Sequence, residues 1–272
     1  MILMEWKNLY RGVLMGVSDL IPGISGGTIA VVLGIYDRLL AAISGFFSRE
    51  WKKQLGFLIP LGVGIGAALL LLSRVIEYLL ASYYEPTQFF FTGLILGVLP
   101  LILRKAEART KFKAVHVVVL IVAAGLLAST AFLRTDATSD PITVLTWSNG
   151  IGLFLSGWLA SMAMLLPGIS GSFVLLLLGV YSTAISALSS LNLGIIAVIG
   201  AGVVIGFVVS SRLIRYLLDR FPHMTYAVII GLILGSIVIV FPGIPSGTGM
   251  MATSIGTLLL GLIVAVFMGR KE

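Results

Sequence analysis

Two short clusters hold the residue types that could do chemistry in this chain. Pro22-Gly23-Ile24-Ser25-Gly26-Gly27, followed by Thr28, returns as Pro167-Gly168-Ile169-Ser170-Gly171-Ser172, and both copies sit inside long apolar stretches. A proline breaks a helix, glycines let a ligand approach the main chain, and hydroxyls cap or donate. A new helix is expected after each break, near Gly27-Thr28 and near Ser172-Phe173. Its N-terminus would offer free N–H groups and a partial positive charge. In this reading Pro22, Gly23, Pro167 and Gly168 break the helices. Ser25, Thr28, Ser170 and Ser172 cap them or bond a ligand, and Gly26, Gly27 and Gly171 allow close approach. Two such termini facing each other would suit an anion, phosphate above all. The competing reading is that small residues only let helices pack tightly; the duplication favours a site.

Ionisable groups at membrane depth are usually functional. Asp19 lies three residues before Pro22, near the deepest point of the first break. It is expected to bind a proton or Na⁺, or to orient the Ser-Gly loop; an N-cap or a salt-bridge partner is its plainer role. Asp37 and Arg38 follow Tyr36 at the exit and would pair with headgroups or mark the interface. Arg74 and Arg212 occupy equivalent positions near opposite faces, a placement suited to a phosphate arriving from either side, or to snorkelling. Arg11 sits at the mouth of the first break, as ligand or as topology signal. Glu77, one turn from Arg74, is its expected partner. No clustered histidines or metal-ligand set stands out, so no metal or other cofactor is expected beyond a coupling proton or Na⁺.

The likeness extends past the clusters. Leu33-Gly34-Ile35-Tyr36 matches Leu178-Gly179-Val180-Tyr181 at the same offset of 145. Further on the offset is 138: Ser73-Arg74 matches Ser211-Arg212, Tyr78-Leu79-Leu80 matches Tyr216-Leu217-Leu218, and Gly93-Leu94-Ile95-Leu96-Gly97 matches 231–235 letter for letter. Four matches in one order indicate an internal duplication.

These elements must stand in a membrane. The chain is 58% hydrophobic and 11% charged, with a mean hydropathy of +1.12, whereas soluble domains carry roughly 25% charged residues. The fold class is therefore an all-α polytopic membrane protein. Full spans are expected near 55–80, 88–103, 114–133, 194–211, 225–241 and 253–268, each close to the ~17–25 residues that cross ~30 Å. The segments 12–47 and 149–190 carry the breaks and read as re-entrant hairpins. From Gly12 to Ile21 a helix rises only ~15 Å, too little to cross. The second hairpin is less clear, because 149–166 could nearly span.

The whole chain, 1–272, reads as one transmembrane domain. A first repeat covers 11–103, a connecting span and loops 104–148, a second repeat 149–241, and a C-terminal span 253–268. The span at 114–133 has no counterpart and inverts the second repeat. Inverted repeats with broken helices meeting at the midplane are the architecture of many secondary transporters. On this topology every Lys and Arg except Arg38, Arg74 and Arg134 falls on the side of both termini. Basic residues mark the cytoplasmic face, so both termini are expected inside. The net charge of +7 then reports topology and not nucleic-acid binding. No cleavable signal peptide is expected, and without cysteine there is no disulfide or thiol chemistry.

The stretches Gly16 to Ala30 and Leu165 to Phe173, the Gly-Ile-Tyr-acid run at 34–37 and the paired Gly-Leu-Ile-Leu-Gly segments resemble the PopT family of bacterial polyprenyl-phosphate transporters, over about residues 9–241. The chain is also similar in layout to DedA-type transporters. The resemblance implies movement of undecaprenyl phosphate from the outer to the cytoplasmic leaflet of the bacterial plasma membrane, recycling the carrier lipid of cell-wall synthesis. The partners implied are the lipid substrate and the bilayer; oligomeric state stays open. One departure is Ser182, where family members often carry a second acid.

Two rival readings come from other classes. A helix-terminus site would serve a transporter or channel for a small soluble anion equally well. Gly-Ile-Ser-Gly is also similar to the nucleophile motif of rhomboid intramembrane proteases, with Ser170 and His223 as the pair. Yet His223 is expected at the basic edge, and a catalytic base must reach its serine at ~3 Å. A lipid phosphatase lacks its ligands.

Overall fold

The computed structural model describes residues 4–20, 25–46, 48–49, 51–132 and 141–269. Thirteen α-helices are described: α1 (Lys7–Asp19), α2 (Gly26–Val32), α3 (Tyr36–Ser44), α4 (Trp51–Ser82), α5 (Tyr84–Lys105), α6 (Ala108–Lys111), α7 (Ala114–Ser129), α8 (Trp147–Leu165), α9 (Gly171–Leu177), α10 (Tyr181–Ser189), α11 (Leu193–Arg220), α12 (Pro222–Val240) and α13 (Thr248–Gly269). A 3₁₀ turn, Thr130–Phe132, continues α7. No strand occurs among the described residues.

Seven of these helices are long and apolar enough to cross a membrane: α4, α5, α7 with its 3₁₀ turn, α8, α11, α12 and α13. All six expected spans are among them. The seventh, α8, corrects the count of about six. Its 19 residues reach from a Thr146 cap to the break before Pro167 without interruption. By contrast α1, at 13 residues, rises only ~20 Å.

Each break is followed by the same two short helices, of seven and nine residues. The turn between them explains the Leu-Gly-x-Tyr match. Gly34 (φ +64°) and Gly179 (φ +69°) adopt the left-handed conformation that glycine tolerates. Ile35 N–H donates to the Ala30 carbonyl and Gly34 N–H to Val31; Val180 and Gly179 repeat this with Leu175 and Leu176. This is a Schellman ending in both copies. In the second copy, α9 and α10 bend by 112° across it.

The long helices pair in matching ways. α1 packs along α4 and α8 along α11; α5 packs along α13 and α12 along α7. Glycines make the seams. A side chain at Gly12 would strike the Leu61 carbonyl, at Gly64 that of Leu9, at Gly157 that of Ile199, and at Gly202 that of Phe154. The two Gly-Leu-Ile-Leu-Gly runs do the same work: Gly93 abuts Leu258 of α13, and Gly231 abuts Leu120 of α7. Where lipid removes the hydrophobic drive between helices, close backbone approach supplies the packing. The span at 114–133 therefore does have a packing counterpart: α7 lies on α12 as α13 lies on α5.

Candidate functional site

The break in the second half leaves main-chain groups without helical partners, and side chains that follow the first break reach them. α8 ends at Leu165. Pro167 has no N–H, so the last carbonyls of α8 cannot all be satisfied from within the helix. Hydroxyls of the first half take them up. Tyr36 Oη donates to the Leu165 carbonyl at 2.9 Å, and Ser25 Oγ to the Met164 carbonyl at 3.5 Å. In return Gly168 N–H donates to Thr28 Oγ1 at 2.8 Å. Three hydrogen bonds between groups about half a chain apart thus lock the two breaks into one junction.

At the start of α2 the first donors are already engaged. Ser25 is the N-cap, its Oγ accepting from Gly27 N–H at 3.1 Å. Asp19 Oδ1 accepts from Gly26 N–H at 2.7 Å, reaching back across the break from the end of α1. The helix starts at Gly26, one residue earlier than expected. Thr28 bonds the opposite break instead of capping its own helix. Pro22 and Gly23 lie outside the described residues.

The second copy differs. α9 starts at Gly171, and no side chain caps it. Ser170 and Ser172 instead bond each other, Oγ to Oγ at 2.8 Å. At the repeat offset of 145, Met164 stands where Asp19 stands in the first copy. The contact is preserved while the charge is not: a Cβ on Gly26 would meet the Asp19 carboxylate at 3.0 Å, and one on Gly171 would meet the Met164 sulfur at 2.9 Å. All seven residues of α2 are buried, whereas of α9 only Gly171 is. The junction is thus asymmetric, with one carboxylate and one uncapped helix start.

A cavity of about 310 Å³ opens onto this junction. Where it meets the junction it is lined by Asp19, Gly26, Gly27 and Met164. Its walls are apolar: Leu39, Ile43 and Phe46 near or on α3, Leu58, Leu61 and Ile65 on α4, Val204, Phe207 and Val208 on α11. Among the described residues Asp19 is the sole charged one lining it.

The other expected site residues lie apart from the junction. Arg11 Nη1 donates to Asn8 Oδ1 at 3.0 Å, and Asn8 Nδ2 donates to Glu5 and to the Phe57 carbonyl. Arg38 Nη1 donates to Gln54 Oε1 at 2.7 Å; the guanidinium pairs with Glu5 at 3.4 Å and covers the Phe57 ring. Asp37 pairs with Lys105 at 3.5 Å. Arg74 is exposed on α4, six residues or ~9 Å beyond Ala68, which packs against Gly16. The pair expected with Glu77 does not form: the described ion pairs are Arg38–Glu5 and Lys105–Asp37. Arg212 Nε donates to the Ser44 carbonyl at 3.4 Å, at the same end of the bundle as Glu5 and Gln54. Among the described residues no group of three or more His, Asp or Glu could hold a metal.

Sequence reasoning missed Tyr36 Oη, the acceptor role of Thr28, and Met164. Tyr36 was visible only as a repeat match. Nothing in a sequence says that a hydroxyl will serve a carbonyl 129 residues away. The Ser170–His223 pair does not form: Ser170 bonds Ser172, and the His223 ring lies 6.2 Å from the His116 ring. A Cβ on Gly168 would contact the Leu232 backbone, and His223 is nine residues or ~13 Å along α12 from there.

Thr28→Val tests the junction. Valine keeps the shape of threonine but leaves the buried Gly168 N–H unpaired, which costs about 1–3 kcal/mol. The thermal unfolding midpoint is expected to fall, and Thr28→Ser, which keeps an acceptor, to restore most of the loss.

Apolar helices of spanning length, folded around a junction where hydroxyls that follow the first break bond the main chain of the second, define a multi-pass α-helical membrane protein with an internal polar junction. The chain belongs to the undecaprenyl phosphate translocase-like family, whose profile matches residues 15–259. It is similar to the polyprenyl-phosphate transporter of Staphylococcus aureus, 41% identical over 273 residues that cover 98% of this chain and 96% of that protein. It is also similar to the polyprenyl-phosphate transporter of Vibrio cholerae, 34% identical over 253 residues, 88% of this chain and 79% of that one. No solved structure matches the chain. The family resemblance drawn from the motifs is borne out.

Proposed function

We propose that this protein carries a polyprenyl phosphate, undecaprenyl phosphate in the first place, from the outer to the cytoplasmic leaflet of a bacterial plasma membrane, so that the carrier lipid is reused in cell-wall synthesis. The names of the two relatives support the substrate class. The observation that carries the reading is the cavity, whose apolar walls end on the polar junction. Such a shape matches a lipid with an ionic head. A free anion would have to enter between unpaired apolar walls, at a large desolvation cost, so the small-anion reading is the weaker one.

The phosphate is held where the two breaks meet. Ser170, Ser172 and the uncapped start of α9, with Gly171, offer donors. Ser25, Gly26, Gly27 and Thr28 offer the rest once Asp19 yields Gly26 N–H. The Asp19 carboxylate occupies the place an incoming phosphate oxygen needs. Neutralising it with a proton, or screening it with Na⁺, would couple an ion to the substrate. Arg11, Arg74 and Arg212 guide the headgroup at the two faces, and Asp37 and Arg38 act in gating through their ties to Lys105 and Glu5.

Topology follows the same reading. Segment 12–47 is a re-entrant hairpin, 149–190 is a broken hairpin whose first arm, α8, is long enough to span, the halves 11–103 and 149–241 are inverted, and both termini are cytoplasmic. The paired packing of α1 with α4 and α8 with α11 supports the duplication. An odd number of spans between the hairpins supports the inversion. The protein performs no covalent chemistry in this account.

The test is leaflet exchange of labelled undecaprenyl phosphate in proteoliposomes. Ser25→Ala/Ser170→Ala is expected to slow exchange about tenfold or more, by loss of two hydroxyl partners, and Arg74→Ala to slow it less. Wild-type rates in the double variant would place the headgroup elsewhere.

A further inference from the structure

A second polar feature lies at the basic end of the same cavity. Between α3 and α11 a cleft of about 550 Å³ is lined by Ser44, Ser48, Gln54, Arg212, Arg215 and Asp219. It abuts the apolar cavity along three helices. On α11, Val208 lines the cavity and Arg212, one turn or ~6 Å on, lines the cleft. On α4, Leu58 lines the cavity and Gln54 the cleft. On α3, Ile43 faces the cavity and Ser44 the cleft. The two spaces thus adjoin, one at the hairpin junction and the other toward the end of the bundle.

Two cations converge in this cleft. Arg212 Nε donates to the Ser44 carbonyl at 3.4 Å, and Arg215 Nη1 to Ser44 Oγ at 3.5 Å. Each guanidinium has five N–H donors, and these long bonds leave most of them unspent. Among the described residues neither arginine is within ion-pair distance of a carboxylate, although Asp219 stands in the wall. Like charges gathered on one serine repel unless an anion lies between them. A planar donor fork recognises phosphate oxygens in pairs.

We propose that the Arg212–Arg215–Ser44 cleft is a second anion site, selective for a phosphate monoester, in which the lipid headgroup rests after leaving the hairpin junction and before release. The proposal rests on the transport reading above and adds Arg215 to it. The plainer role of both arginines is to mark topology, which requires charge near the membrane but no bound phosphate.

The test uses the full chain in nanodiscs of zwitterionic lipid, with farnesyl phosphate and inorganic phosphate as probes, titrated calorimetrically at low and high salt. Arg212→Gln/Arg215→Gln is expected to weaken farnesyl phosphate binding about tenfold or more and to flatten its salt dependence, since exposed charges are screened. Arg212→Lys/Arg215→Lys keeps the charge and is expected to recover part of the affinity. The thermal unfolding midpoint of each variant, compared with wild type, separates lost folding from lost binding. Tighter binding of farnesyl phosphate than of inorganic phosphate assigns the cleft to the lipid head; equal binding assigns it to free phosphate and overturns the lipid part of the proposal. Wild-type affinity and salt dependence in the double Gln variant would overturn the cleft, and the junction reading would stand if Ser25→Ala/Ser170→Ala still lost binding. No binding of farnesyl phosphate by wild type would overturn both.

Discussion

Asp19→Asn is expected to slow leaflet exchange at least about 100-fold and to erase its dependence on an imposed proton or Na⁺ gradient, while the protein stays folded. The separation of effects follows from the chemistry of the two side chains. Asparagine keeps a carbonyl oxygen, so the 2.7 Å bond from Gly26 N–H that anchors the start of α2 survives. What is lost is the charge and the capacity to take up a proton. Asp19 is the sole charged group lining the cavity among the described residues, and an ionisable residue at that depth is kept against its cost by function. A 100-fold change corresponds to about 2.7 kcal/mol, comparable to one hydrogen bond involving a charged group. Exchange assays under pH and Na⁺ gradients, with unfolding midpoints measured alongside, check both halves. Normal exchange with unchanged gradient dependence would remove Asp19 from the mechanism.

Gly168→Ala is the second large effect, and it acts on the fold first. Gly168 has φ +92°, where an L side chain is strained, and a Cβ there would sit 2.6 Å from the Leu232 carbonyl oxygen. The conformation costs about 1–2 kcal/mol and the clash about 1–3 kcal/mol more. Both fall on the residue whose N–H bonds Thr28, so the junction opens as α12 is pushed away. The unfolding midpoint should drop sharply and exchange should be lost with it. Gly66→Ala is the control: nothing lies within 4 Å of its Cβ position, and alanine inside a helix stabilises by roughly 0.5–1 kcal/mol. If both variants unfolded at the wild-type temperature, the tight seat of Gly168 against α12 would be wrong.

The spans were legible because membrane helices are written in plain apolar runs: α4, α5, α11 and α13 contain the segments expected, and α7 with its 3₁₀ turn and α12 cover all but the last residue of theirs. The matched Gly-Leu-Ile-Leu-Gly runs were visible as a repeat, but their partners α13 and α7 were not. A glycine advertises close approach without naming the neighbour. The Leu-Gly-x-Tyr match proved to be a Schellman turn, a local feature that a local motif can specify. Tertiary relations stayed hidden. The bonds from Tyr36 and Ser25 to the end of α8 join groups that no local rule connects. The unequal burial of α2 and α9 had a signal that went unread: Gly-Gly-Thr-Ile-Ala-Val-Val is built of small and β-branched residues that fit inside a bundle, whereas Gly-Ser-Phe-Val-Leu-Leu-Leu is bulkier. Met164 at the position of Asp19 was likewise available from the offset of 145, and it foretells a junction with a single acid.

The central claim is that the protein moves a phosphate-headed lipid through this junction. The most direct measurement is leaflet exchange of labelled undecaprenyl phosphate by wild-type protein in proteoliposomes, run beside uptake of labelled inorganic phosphate, with proton and Na⁺ gradients imposed in each direction. The account predicts protein-dependent exchange of the lipid and no comparable uptake of phosphate. Folded protein that takes up inorganic phosphate and leaves the lipid where it was would contradict it.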